Sequence, residues 1–90
     1  MEMGAHIVVR GLVQGVGFRY FVYHHATRLG VKGYVMNRFS GDVEIVAEGS
    51  RSLLEELIAQ VRVGPRSAEV RDVSVSWRTP EYQFGAFEIR

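Results

Sequence analysis

The chain contains no cysteine. That excludes disulfide cross-links, a thiolate nucleophile and any zinc site built on sulfur. Long apolar runs are missing too. No stretch approaches the roughly 20 residues that a membrane-spanning helix needs. Met1-Glu2-Met3-Gly4-Ala5-His6 lacks the basic-then-apolar order of a signal peptide. The expected location is therefore the cytoplasm, with no membrane partner. Neither sign of charge dominates: 11 basic residues face 10 acidic ones, for a net charge of +1. Such a balance argues against a surface built for a polyanion, so no nucleic-acid partner is expected. Ten of the basic residues are arginine, a bias that genome composition or a hot habitat can each produce. There are only two prolines, and the chain has no internal repeat, linker or low-complexity segment.

What is present is ordinary for a soluble globular protein: 90 residues, 47% of them hydrophobic and 23% charged. A chain of this length buries about two thirds of its unfolded surface, enough for one core. A single domain over 1–90 is expected. Residues 6–13 read as a first strand, rich in β-branched side chains. Residues 18–29 read as a helix, with Phe18, Phe21, Val22, Ala26 and Leu29 at helical spacing and Gly30 as its stop. Residues 31–38 form a second strand, with Val31, Gly33, Val35 and Asn37 on one face and Lys32, Tyr34, Met36 and Arg38 on the other. A turn over 39–41 leads into a third strand, 42–48, in which Val43, Ile45 and Ala47 oppose Asp42, Glu44 and Glu48. A second helix spans 50–63, with Leu54, Leu57, Ile58 and Val61 as its stripe, a capping box at Ser52 and Glu55, and Ser50 as a rival cap. Strand 70–78 turns Val73, Val75 and Trp77 inward; Pro80 ends it, and 85–89 make a short last strand. The order is βαββαβ plus that short C-terminal strand. Its economical solution is α+β: one antiparallel sheet with two helices on one face, the ferredoxin-like sandwich with right-handed crossovers. That fold serves many functions and selects none.

Between the first strand and the first helix lies Gly11-Leu12-Val13-Gln14-Gly15-Val16-Gly17-Phe18-Arg19. Glycines reach positive φ cheaply, so successive N–H groups can turn inward around an anion. The helix start adds free N–H groups and the positive end of its dipole. Arg19, in the first turn, can fork onto the same anion. A tight connection whose glycines only solve geometry is the competing reading, and spacing leaves both open. Known nucleotide loops do fail here. Gly17 is followed by Phe18-Arg19-Tyr20 instead of Lys and a hydroxyl residue, and the dinucleotide pattern lacks its third glycine.

Gly11 to Arg19 resembles the first signature of the acylphosphatases, G-x-V-Q-G-V-G-F-R. Gly33-Tyr34-Val35-Met36-Asn37, followed by Gly41-Asp42-Val43-Glu44, resembles their second. The likeness extends to the ending Gly85-Ala86-Phe87-Glu88-Ile89 and covers nearly the whole chain. It implies the fold derived above and hydrolysis of acyl phosphates to a carboxylate and inorganic phosphate, without metal or cofactor; a monomer is the default expectation. It further implies that Arg19 binds the phosphate with the backbone amides of Gln14, Gly15, Val16, Gly17 and Phe18, and that Asn37 orients the attacking water. Met36 departs from the family, where a basic or polar residue commonly precedes the asparagine. Strand alternation turns Met36 away from Asn37, so the change bears on substrate preference or turnover and leaves the two principal residues in place.

Other chemistry-bearing residues have plainer readings. His24 and His25 are adjacent on a helix and point about 100° apart, so they do not form the i, i+4 pair of a metal site. His25 lies beside the apolar stripe and His24 in solvent. His6 is a strand residue near the terminus, and Arg71 and Arg78 are solvated strand residues. Glu44 and Glu48 share a strand face, where solvation is a simpler role than acid–base pairing. Phe18, Tyr20, Phe21, Tyr23, Tyr34 and Phe39 suggest an RNA-binding ferredoxin-like sheet, but the third strand carries acids where such a sheet needs aromatics. A catalytically weak module that binds acyl or carbamoyl phosphate is the remaining alternative.

Overall fold

The first strand reaches further back than its β-branched residues. In the computed structural model, which describes residues 1–90, β1 runs from Glu2 to Leu12. Gly4 and Ala5 are poor strand formers. They are held because Glu2 to Val9 pair antiparallel with Ser50 to Val43 of β3 (Val43–Ser50). Cross-strand pairing overrides propensity there, and Arg51 N–H fastens the end by donating to the Met1 carbonyl at 3.0 Å.

The remaining elements are α1 (Phe18–Leu29), β2 (Lys32–Asn37), α2 (Arg51–Val63), β4 (Glu69–Arg78) and β5 (Phe87–Ile89), and the sheet order is β4-β1-β3-β2-β5. Four strands pair antiparallel, as expected for the ferredoxin-like sandwich. The sheet is nevertheless mixed, because β5 runs parallel to β2. The reason is topological: β4 occupies one edge, so residues 79–86 must cross to the opposite edge before the chain can pair again.

Both helices cover one face. Ala5, Ile7 and Val9 of β1, Val43, Ile45 and Ala47 of β3, and Val35 of β2 point at Phe18, Val22 and Ala26 of α1 and at Leu54, Leu57, Ile58 and Val61 of α2. Every one of these is buried. The strand period of 2 and the helix period of 3.6 converge on a single core. Val73, Val75 and Trp77 of the edge strand β4 are only half-buried. The α2 cap is Ser50, whose hydroxyl accepts from Leu53 N–H at 3.4 Å. The expected capping box at Ser52 does not form, since β3 extends to Ser50 and the helix begins immediately after it. Glu55 pairs instead with Arg51 at 3.2 Å.

On α1, His25 packs edge-on against Phe21, their ring centroids 4.5 Å apart. Partial burial, with the His24 and Arg28 charges adding, lowers its pKa below the ordinary value of 6.5. The unfolded chain therefore takes up this proton at higher pH than the folded one. Stability from neutral His25 is present in full above about pH 6.5 and is lost as pH falls toward the depressed value. We expect urea midpoints of the wild type to fall between pH 7.5 and pH 5, and a His25→Gln variant to show a shallower decline.

Candidate active site

The loop that follows β1 is shaped by two left-handed glycines, Gly15 at φ 75° and Gly17 at φ 77°. A side chain at either would be strained. Gly17 is also the N-cap of α1 and supplies no side-chain acceptor. No acidic residue occupies the first turn. The opening N–H groups of α1 thus keep the helix dipole's positive end unneutralised. The N–H groups of residues 14–17 take part in no main-chain hydrogen bond. Successive donors facing no internal acceptor are what a bound anion requires.

Three contacts orient the loop. Gln14 Nε2 donates to the carbonyls of Arg38, at 2.7 Å, and Asp42, at 2.9 Å. The same turn is closed by Arg38 N–H donating to the Asp42 carbonyl at 2.9 Å. This side-chain amide therefore ties the glycine loop to the β2–β3 turn, directly after Asn37. The Gln14 side chain is committed to that turn, which leaves its main-chain N–H as the group available to an anion. The third contact is made by Arg19, whose Nη1 donates to the main-chain oxygen of Arg90 at 2.8 Å. It holds one edge of the guanidinium.

Asn37 ends β2, opposite Val43. Its Oδ1 is buried and has no hydrogen-bond partner. Such an orphan acceptor costs about 1–3 kcal/mol if nothing meets it. Arg19 and Asn37 line one cleft of about 210 Å³, together with Val13, Gly15, Gly17, Phe18, Tyr20 and Ile89. The glycine loop, Arg19 and Asn37 thus converge, although 18 positions separate the two side chains in the chain. Met36 lies on the other face, opposite Glu44, as alternation requires.

The family model for acylphosphatase matches residues 5–89. The chain belongs to the acylphosphatase family. A relative named acylphosphatase from Moorella thermoacetica is 47% identical over 86 residues, covering 96% of this chain and 91% of its own. The crystal structure of acylphosphatase from Bacillus subtilis superposes with a TM-score of 0.94 at 39% identity, over 98% of each chain. Full-length HypF, in a phosphate- and nucleotide-bound crystal structure, matches all of this chain with only 12% of its own length, at 30% identity and a TM-score of 0.92.

The other candidates lie elsewhere. His6 Nε2 is 2.6 Å from Glu44 Oε2 on the helix-free face. Glu48 turns from Glu44 to residues 81 and 82, accepting from both of their N–H groups. The His24 and His25 rings are 5.7 Å apart at 80°, and no three His, Asp or Glu side chains group closely enough to hold a metal ion. Sequence reasoning missed the Gln14 clamp and the main-chain oxygen of Arg90. An acceptor on the main chain leaves no mark in residue identity, so no local signal could have named either. Replacing Gln14 with Ala removes two hydrogen bonds that seat the loop, each worth about 0.5–1.5 kcal/mol. We expect a folded protein of slightly lower urea midpoint whose affinity for inorganic phosphate, measured by calorimetry, falls severalfold.

Proposed function

We propose that the chain hydrolyses the carboxyl–phosphate bond of acyl phosphates at this cleft. One observation carries the reading: Asn37, whose Oδ1 has no protein partner, lines the same cleft as Arg19 and the glycine loop. The phosphoryl oxygens sit on the N–H groups of Gln14, Gly15, Val16, Gly17 and Phe18 and on the free edge of Arg19. Asn37 Oδ1 accepts a hydrogen bond from one water and so aims a lone pair at phosphorus. That water attacks, the bond from phosphorus to the acyl oxygen breaks, and its electron pair leaves with the carboxylate. One water proton passes to a phosphoryl oxygen, so the products are a carboxylate and dihydrogen phosphate.

The reaction makes modest demands. The leaving carboxylate belongs to an acid of pKa about 4, so it departs without a proton donor. An asparagine is no base at neutral pH, and a substrate oxygen takes the proton in its place. What remains is positioning and charge stabilisation, the main contributions in phosphoryl transfer. Preorganised amides and a guanidinium supply the positive field. These residues suffice without a metal or cofactor.

On this reading residues 1–90 act as one domain, a monomer in the cytoplasm with a small-molecule substrate and neither nucleic acid nor membrane as partner. No helix is long and apolar enough to cross a membrane. Glu44 and Glu48 on β3 stand where an RNA-stacking sheet presents aromatics. The likeness to a small part of HypF favours one alternative, a module that binds an acyl or carbamoyl phosphate with little turnover.

A single assay separates the two. Benzoyl phosphate, mixed with the protein and a chelator, should release phosphate with undiminished rate. Arg19→Ala should lose both binding and turnover, and Arg19→Lys should fail as well, since a point charge cannot reproduce the planar fork. Asn37→Ala should keep phosphate affinity and lose about 2–4 kcal/mol of transition-state stabilisation in kcat. Saturable phosphate binding without hydrolysis would instead identify the binding module.

A further inference from the structure

Residues 79–86 cross the helix-free face of the sheet as a strap from β4 to β5. A cleft of about 350 Å³, lined by Tyr34, Val46, Glu48, Arg78, Phe84 and Arg90 among others, lies along it. Among the contacts that hold the strap are a few discrete hydrogen bonds. Glu48 makes those at residues 81 and 82: its Oε2 accepts from Glu81 N–H at 2.7 Å, and its Oε1 from Tyr82 N–H at 3.0 Å. Tyr82 has φ 58° and is the one non-glycine residue with positive φ. A bulky residue stays in that conformation only when its surroundings hold it there. The carboxylate that binds its N–H is such a restraint.

The strap leads directly to the Arg19 anchor. Phe84 packs edge-on against Tyr34, 5.9 Å between ring centroids. Ala86 accepts from Gly33 N–H at 3.1 Å and starts the parallel pairing of β5 with β2. Arg90 continues it, its N–H donating to the Val35 carbonyl at 2.8 Å and its guanidinium lying 4.2 Å over the Tyr34 ring. The main-chain oxygen of Arg90 then accepts from Arg19 Nη1. A three-residue strand at the sheet edge is weakly held by its own ladder. Whatever seats the strap therefore sets where Arg19 finds its acceptor.

We infer that Glu48, on the opposite face of the sheet from the cleft of Arg19 and Asn37, is a positioning residue for Arg19, acting through the strap and β5. This rests on the proposed anion site for its effect on substrate, and on geometry alone for its effect on Arg19. The test compares wild type, Glu48→Ala and Glu48→Gln well below their unfolding temperatures. Inorganic phosphate affinity is read by calorimetry, KM and kcat with benzoyl phosphate, and the Arg19 side-chain Nε resonance by NMR. In Glu48→Ala we expect phosphate affinity to fall and KM to rise about fivefold, kcat to change less, and the Arg19 resonance to move. Glu48→Gln keeps one carbonyl acceptor and should recover most of the loss. A folded Glu48→Ala with wild-type phosphate affinity, KM and Arg19 resonance overturns the inference. If the wild type binds phosphate but hydrolyses nothing, the hydrolase reading fails, and phosphate affinity and the Arg19 resonance still decide the role of Glu48.

Discussion

A concave row of main-chain N–H groups is useful only if something other than its ligand keeps it concave. Here that constraint is the Gln14 side chain, bound to the carbonyls of Arg38 and Asp42. It joins the glycine loop to the turn that follows Asn37, so the two halves of the proposed site cannot drift apart without breaking both bonds. The sheet beneath gives the clamp a rigid base. β1 delivers the loop and β2 delivers Asn37, with β3 between them and paired to each. Preorganisation of this kind lets dipoles stabilise charge without reorganising when the charge develops.

The same economy explains why few side chains suffice. The site lies where the core ends. Phe18 is buried beneath the first turn of α1, and its neighbour Arg19 is left half-buried at the cleft. Asn37 continues the inward face of Val35 beyond the last layer of core, which is why its oxygen is buried and yet free of a protein partner. A polar atom placed where strand alternation leaves an inward position, but where the hydrophobic packing has run out, is available for a water or a ligand.

Much of this could be read from residue order. Alternation in β2 and β3 set the faces of Val35, Asn37, Val43 and Ile45, and helical spacing found the buried stripe of α2, residue for residue. The glycine loop and Arg19 were visible at the junction of a strand and a helix, and resemblance to the acylphosphatases joined to them Asn37, with which they line one cleft. What stayed hidden depends on contacts between distant positions. The early start of β1 follows from pairing across more than 40 residues. The choice of Ser50 over Ser52 as a cap follows from where β3 ends. The parallel pairing of β5 follows from which sheet edge remained open. Arg19 and Arg90 lie 71 positions apart and meet through a main-chain oxygen, which residue identity does not mark.

The central claim is that the loop amides, Arg19 and Asn37 form one anion site. Titrating inorganic phosphate into isotopically labelled protein tests it most directly. The account predicts that the amide resonances of Gly15 to Arg19, the Arg19 side chain and the Asn37 side-chain amide shift together along one saturable curve. Shifts confined to other surfaces, or an Asn37 response with a different midpoint from that of the loop, would contradict it.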